Sequence, residues 1–431
     1  MLPSSIPIPI PGGLHDPLPE FIKVAQHFDL KKITDINSVV AEEFKKFVSI
    51  DLKGKSVGIG VGSRGIKQQP LVVKALIDEL VSVGANPFII PAMGSHGGGT
   101  AEGQSSILAH YGYTETEMCV PIKSSLDVIE LGRINPDVPV YCDKLATEAD
   151  YIIVCNRIKP HTDFRALHES GLIKMLAIGM SKHAGATALH FHGMQQFSTL
   201  MPAAAKMFLD SIPVLFGVAM VENPEEDLKK IEFVPPDKFF ERDAALLELA
   251  KSSIPRLMFD AIDVLVIDEI GKDISGAGMD PNVTGRPASG LPGFDDTPTV
   301  NRIMVRDLTD LTDGNATGIG VADVTTQNLV RKIDWTKVYV NIVTAGVLEG
   351  ARLPIVADTD QDAVGIALRG CIGVQSKSSR IVRIKNTLEM TTVWASEALI
   401  PGIEKNSEQE LISDLFDIQF DENGAITSSV M

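Results

Sequence analysis

The chain has 431 residues, of which 39 are Lys or Arg and 56 are Asp or Glu, giving a formal charge of −17. That balance argues against a nucleic-acid binder, which presents a basic stripe to the phosphates. Hydrophobic residues at 44% and charged residues at 22% supply packed cores and exclude disorder as the main state. The four cysteines (Cys119, Cys142, Cys155, Cys371) contain no CxxC pair, so neither a disulfide framework nor a thiolate zinc site is indicated. No apolar run reaches the roughly 18 residues of a membrane helix. The N-terminal MLPSSIPIPIPGGLHD lacks the basic n-region of a signal peptide. A soluble, cytoplasmic protein that binds neither nucleic acid nor membrane is expected, with two or three domains at about 150 residues each.

Residues 56–94 carry the clearest structural signal. SVGIGVGS (56–63) reads as a buried strand. QPLVVKALIDELVSVGA (69–85) then places Leu71, Val72, Ala75, Leu76, Leu80 and Val83 at helical spacing, with Pro70 in the first turn and Gly84 as the stop. NPFIIPAMG (86–94) is the next strand, which completes a βαβ unit of the kind that builds parallel sheets. Further strands are expected at 151–158, 212–221, 261–270, 299–308, 338–345 and 380–387, and helices at 201–211, 322–333 and 362–372. This alternation predicts an α/β fold with largely parallel sheets. The charged, Pro-containing stretch 222–257 is the expected boundary, dividing the chain into domains 1–255 and 256–405 with a tail at 406–431 that could return to the first domain. The Gly/Pro/Asp-rich segment 276–298 reads as a long loop and hence as a site candidate.

Five of the nine histidines (His161, His168, His183, His190, His192) fall between residues 161 and 192, together with Lys159, Arg165, Lys174 and Lys182. Histidine is the usual general acid or base and the commonest metal ligand, so this window reads as an active-site segment. Arg64 follows the strand 56–63, His96 follows 86–94 in GSHGGGT, and His161 follows 151–158 in KPHTDF. Ligands of open α/β sheets bind outside the carboxyl ends of the strands, so three strand ends deliver Arg, His and His to one edge. An arginine there suits a carboxylate or phosphate, and two histidines from different loops suit paired acid/base work. HFH at 190–192 would share one face as a strand and diverge as a helix; its surroundings allow either. Lys174 sits among apolar residues, either snorkelling to the surface or poised as a nucleophilic amine.

These motifs resemble the N-terminal domain of the nickel-pincer-dependent lactate racemase family. The resemblance rests on SRG with Arg64, GSHGGGTAEG with His96, KPH with His161, and Lys174 followed by His190. It implies a nickel-pincer nucleotide, a pyridinium nucleotide holding Ni(II) in an S–C–S pincer, tethered through a thioamide to Lys174 and made by separate cofactor-synthesis proteins. It further implies His190 as the nickel ligand, with His192 as the alternative, and His96 and His161 as acid/base residues. Arg64, Ser63, Gly97 and Gly98 would lie near the cofactor or substrate. The implied reaction is racemisation or epimerisation of a 2-hydroxy acid by reversible hydride transfer, which avoids a carbanion beside a carboxylate. The implied site is an interdomain cleft. Two departures bear on the substrate. The family's Gly-Gly-Arg-Lys around the tethering lysine reads SGLIKML here, and its C-terminal substrate-contact segment is replaced by DEIGKDISGAGMDPNVTGR. There Lys272, Asn282 and Arg286 are the polar candidates, and the substrate expected is a hydroxy acid larger than lactate or derived from a sugar. Trp394 is the counterpart of a site-lining tryptophan, or else an ordinary aromatic at an element's end. The competing readings are a metal-dependent lyase or hydratase without the pincer, and a non-catalytic cofactor-binding protein.

Overall fold

The computed structural model describes all residues except Met1, Leu2, Ser4, Ser63, Arg64, Gly65 and Met431. Arg64 and Ser63, two of the expected cofactor-side residues, therefore lie outside the described residues. In chain order the strands are β1 (Phe21–Gln26), β2 (Ser56–Val61), β3 (Asn86–Pro91), β4 (Val128–Arg133), β5 (Pro139–Asp143), β6 (Tyr151–Arg157), β7 (Val214–Glu222) and β8 (Leu228–Val234). They continue as β9 (Ala261–Ile270), β10 (Thr299–Leu308), β11 (Val324–Thr326), β12 (Ile355–Ala357), β13 (Ile381–Ile384), β14 (Thr392–Ser396) and β15 (Gln409–Leu411). The chain divides into two α/β units. The first comprises Asp29–Ile254 apart from Thr162–Phe164, and the second holds the N-terminal residues to Phe28, those three residues and Pro255 onward.

The first unit is built on a five-stranded sheet of order β3-β2-β6-β7-β8, parallel except for the β7–β8 hairpin. The helix Gln69–Ser82 buries Val72, Val73, Ala75, Leu76, Ile77 and Leu80. Leu71 and Val83, assigned above to the apolar stripe, are exposed. Gly84 terminates this helix at φ +83°, a conformation that costs glycine little. The chain runs from β2 outward to β3 and then to β6 on the other side, so the strand order reverses at β2. A crevice at the carboxyl edge follows from that reversal. The stretch 222–257, expected to hold the boundary, supplies the β7–β8 hairpin and the helix Phe239–Lys251 of this unit, and the division at Ile254/Pro255 falls near its end.

The second unit has an eight-stranded sheet of order β12-β11-β10-β9-β13-β14-β1-β15. Its first five strands are parallel and the remaining pairings antiparallel. Residues 1–28 were expected in the first domain, yet β1 pairs with β14 here. The tail joins the same unit, with β15 adding to β1 and the Phe416 ring centroid 6.5 Å from that of Phe21. A second correction concerns 338–345, expected as a strand from its β-branched residues. It lies in the helix Trp335–Ala345, capped by Asp334 accepting from Thr336 and Lys337 and ended by Gly346 at φ +68°. Burial of Val338 and Ile342, four residues apart, outweighs the local β propensity. The expected helix 322–333 is split into β11 and the helix Gln327–Lys332, since 324–326 pairs with β10 and β12.

Trp394 is a third correction. It is 1% exposed, its Nε1 donates to the Val430 carbonyl at 3.1 Å, and the Arg383 guanidinium lies 4.5 Å from its ring. Arg383 is itself buried and paired with Asp268. The tryptophan is thus core, wedged between β1, β13 and the tail, and lines no candidate site. Trp394→Ala is expected to cost about 3–5 kcal/mol, the usual range for a buried Trp truncation, read as a shifted denaturant midpoint.

Candidate active site

Parallel pairing brings the carboxyl ends of β2, β3 and β6 together, and a cavity of about 140 Å³ opens there. It is lined by Gly62 after β2, by Ala92, Met93 and His96 after β3, and by Asn156, Arg157 and Lys159 at the end of β6. Ser170, Lys174, Met175, Ile178 and Gly179 close it from the segment that follows. His96 and Lys174, both singled out from the sequence, therefore share one cavity. His161 is not among its lining residues; Gly97 and Gly98 are not either.

Lys174 ends the short helix Leu172–Lys174, which runs straight into a π-helical turn, Met175–Gly179. Such turns are rare and recur at functional sites. The first N–H groups of this helix are held from outside it. Asp243 Oδ1 accepts from Leu172 N at 2.6 Å and Ile173 N at 3.3 Å, while its Oδ2 meets His168 Nδ1 at 3.1 Å. A carboxylate at a helix start satisfies amides that have no partner within the helix. The approach leaves no room for a side chain at residue 171, where a Cβ would fall 2.2 Å from Asp243 Oδ1.

His190 closes the helix Lys182–His190, so HFH straddles a helix end and is no strand. Its Nδ1 lies 2.6 Å from the Ala186 carbonyl, which accepts the ring proton and leaves Nε2 with a lone pair. Burial pushes the imidazole pKa down, the Ala186 bond opposes this, and the charge of Lys174 lowers it further. An imidazole whose Nδ1 is held by a carbonyl can offer Nε2 to a metal. His192 lies beyond that helix, in the turn that follows. Among the described residues no group of three or more His, Cys, Asp or Glu could hold a metal. His190 by itself offers one donor, which fits a metal arriving with ligands of its own.

The loops carrying the two expected acid/base histidines are fastened by buried charges. The N–H of His161 donates to Glu169 Oε2 at 2.6 Å, and Arg165 Nη1 donates to the His161 carbonyl at 3.0 Å. Burial raises the pKa of Glu169, opposed by the His161 amide, Arg165 and Lys251. Under His96, Gln104 is fully buried and its Nε2 donates to the carbonyls of Gly94 and His96 at 2.9 and 3.3 Å. Lys182, also fully buried and at φ +53°, pairs with Asp143 Oδ2 at 2.8 Å and donates to the Pro91 carbonyl. Burial drives the Lys182 pKa down and that of Asp143 up, each opposed by the other's charge. One glycine of GSHGGGT serves this packing. Gly97 has φ +68°, and a Cβ on it would fall 2.6 Å from Gln104 N.

The polar candidates of the second unit make these contacts among the described residues. Arg286 pairs with Asp323 and donates to the carbonyls of Val300, Asn301 and Val321. Lys272 Nζ donates to the Gly276 carbonyl at 2.8 Å, and Asn282 Nδ2 to Asp280 at 2.6 Å. These contacts hold the 276–298 loop, which contains the short helix Pro281–Thr284. Sequence reasoning gave no role to Asn156, Arg157, Asp243 or Gln104. The signal for Arg157 was its place at the end of an apolar strand; a buried Asp or Gln supplied by another element leaves none.

The fold and the cavity define a two-unit α/β protein with a histidine and a lysine converging at the carboxyl edge of a parallel sheet. Residues 55–199 match the family model of the lactate racemase N-terminal domain, so that segment is similar to it. The lactate racemase apoprotein from Thermoanaerobacterium thermosaccharolyticum superposes with a TM-score of 0.53 at 15% identity, over 85% of this chain and 98% of that one. That similarity supports the two-domain α/β architecture. A protein of Thermotoga maritima aligns at TM-score 0.45 and 17% identity, over 63% of this chain and 70% of that one. No curated protein matches the sequence.

Removing the buried ammonium would leave Asp143 uncompensated. Lys182→Met is expected to destabilise the protein by about 3–5 kcal/mol, as for other broken buried pairs. The double variant Lys182→Met/Asp143→Asn should recover part of that loss, both read by chemical denaturation.

Proposed function

We propose that the chain is a racemase or epimerase of a 2-hydroxy acid that works with a nickel-pincer nucleotide anchored on Lys174. The observation carrying this reading is Lys174 in one cavity with His96, together with a half-buried His190 whose pKa burial and the charge of Lys174 lower. The family match over residues 55–199 supports it. Lys174 would hold the cofactor covalently and His190 Nε2 would complete the nickel's coordination. When bound, that group supplies a hydride acceptor and donor.

The remaining work falls to the protein. His96, on the cavity wall, takes the hydroxyl proton of one enantiomer, and His161 gives a proton to the oxygen of the opposite enantiomer as it forms. In the reverse direction the two exchange roles, and solvent restores both protonation states. A proton held on an imidazole suits this exchange, since its ordinary pKa lies near neutrality. Met93, Met175 and Ile178 supply apolar wall beside these groups, which limits water around the reacting carbon. Lactate remains a poorer candidate than a larger hydroxy acid, because the family's substrate-contact segment is replaced.

The test is mass spectrometry of the chain co-expressed with cofactor-synthesis proteins and nickel. A mass excess of several hundred daltons on the peptide bearing Lys174 is expected, and its absence beside a loaded lactate racemase control would overturn the reading. Lys174→Ala should lose both the added mass and turnover. His190→Ala should keep the added mass and lose nickel, read by metal analysis of the same sample. His96→Asn should load normally while kcat falls by about 10²–10⁴-fold, the usual contribution of a general acid or base.

A further inference from the structure

The chain carries a formal charge of −17, which repels an anion at long range. The cavity's described lining contains Arg157, Lys159 and Lys174 with His96, and no Asp or Glu. Arg157 is the last residue of β6 and its side chain is only 16% exposed. It is backed by Glu222 at the end of β7, which bonds Arg157 Nη1 and is buried. Glu222 Oε1 has no hydrogen-bond partner among the described residues. The charge of Lys159 acts on the same carboxylate. The Glu222 contact engages Nη1 alone of the Arg157 guanidinium, which carries five N–H donors, so the group is oriented and keeps donors for a ligand. Its planar fork matches an oxyanion in bidentate fashion.

We infer that Arg157 and Lys159 form an oxyanion subsite at the carboxyl end of β6. Its ligand is a carboxylate or a phosphate monoester; the two sources, the hydroxy acid and the nucleotide's phosphate, rest on the function proposed above. Arg157 fixes the orientation of the oxyanion, and Lys159 adds charge beside it. Glu222 is a positioning residue that sets the guanidinium and tempers its field.

The experiment is calorimetric titration of the full-length chain, without cofactor, with inorganic phosphate and separately with L-lactate. Wild type should bind at least one of the two. Arg157→Gln should weaken that binding by about tenfold or more, as expected for loss of a charge-assisted contact, and Arg157→Lys by less. Glu222→Gln should tighten it, an outcome that misfolding would not mimic. If only phosphate binding depends on Arg157, the subsite serves the nucleotide's phosphate; if only lactate binding does, it serves the substrate carboxylate. Dependence of both supports a shared oxyanion subsite. No binding to wild type, or affinities unchanged in folded Arg157→Gln, would overturn the inference. The titration needs no modification of Lys174, so a chain that never loads cofactor still tests the subsite, and failure of one proposal leaves the other standing.

Discussion

Parallel pairing of β3, β2, β6 and β7 is the constraint on which the candidate site depends. Parallel strands all end on the same edge, so the loops that follow must gather there whatever their own sequences prefer. The reversal at β2 then parts the loop after β3 from the loop after β6 and leaves a hollow between them. Lys174 enters that hollow from a segment that comes back over the sheet edge after β6. Hence residues far apart in the chain, His96 and Lys174, line one cavity.

Convergence alone would leave these groups on mobile loops. Buried polar side chains fasten them: Asp243 at the start of the lysine's helix, Glu169 of the same loop at the His161 amide, and Gln104 with Lys182 beneath His96. Each is strongly desolvated, and such groups persist only where hydrogen bonds or opposite charges compensate. The pKa directions record this, with Glu169 and Asp143 raised by burial and Lys182 lowered. A site of this kind is positioned by its surroundings more than by its own loops.

The second unit follows different priorities. Its sheet is completed by both chain termini, with β1 and β15 at one edge. Trp394, Arg383 and Asp268 form a buried cluster that the C-terminal residues cover, and Arg306 joins it by bridging Asp268 to Asp360. Tryptophan and arginine late in a sequence can line a site or stabilise a core. Here their exposure, 1% each, places them in the core.

Much of the architecture was legible in the residues themselves. Alternating apolar strands and amphipathic helices declared an α/β fold, because hydrophobic period reports directly on which face of an element is buried. The places of His96 and His161 after apolar strands pointed to one sheet edge, and His96 lines the cavity found there; Lys174 stood out only as a lysine among apolar residues. The helix at 335–345, the split of 322–333, the home of the first 28 residues and the core place of Trp394 were decided only in three dimensions. So were the partners of the site: the approach of Asp243 to residue 172, of Glu169 to His161, and of Glu222 to Arg157. Sequence patterns record what an element does with its neighbours in the chain; these contacts join residues whose spacing carries no period, and packing of the whole unit alone brings them together.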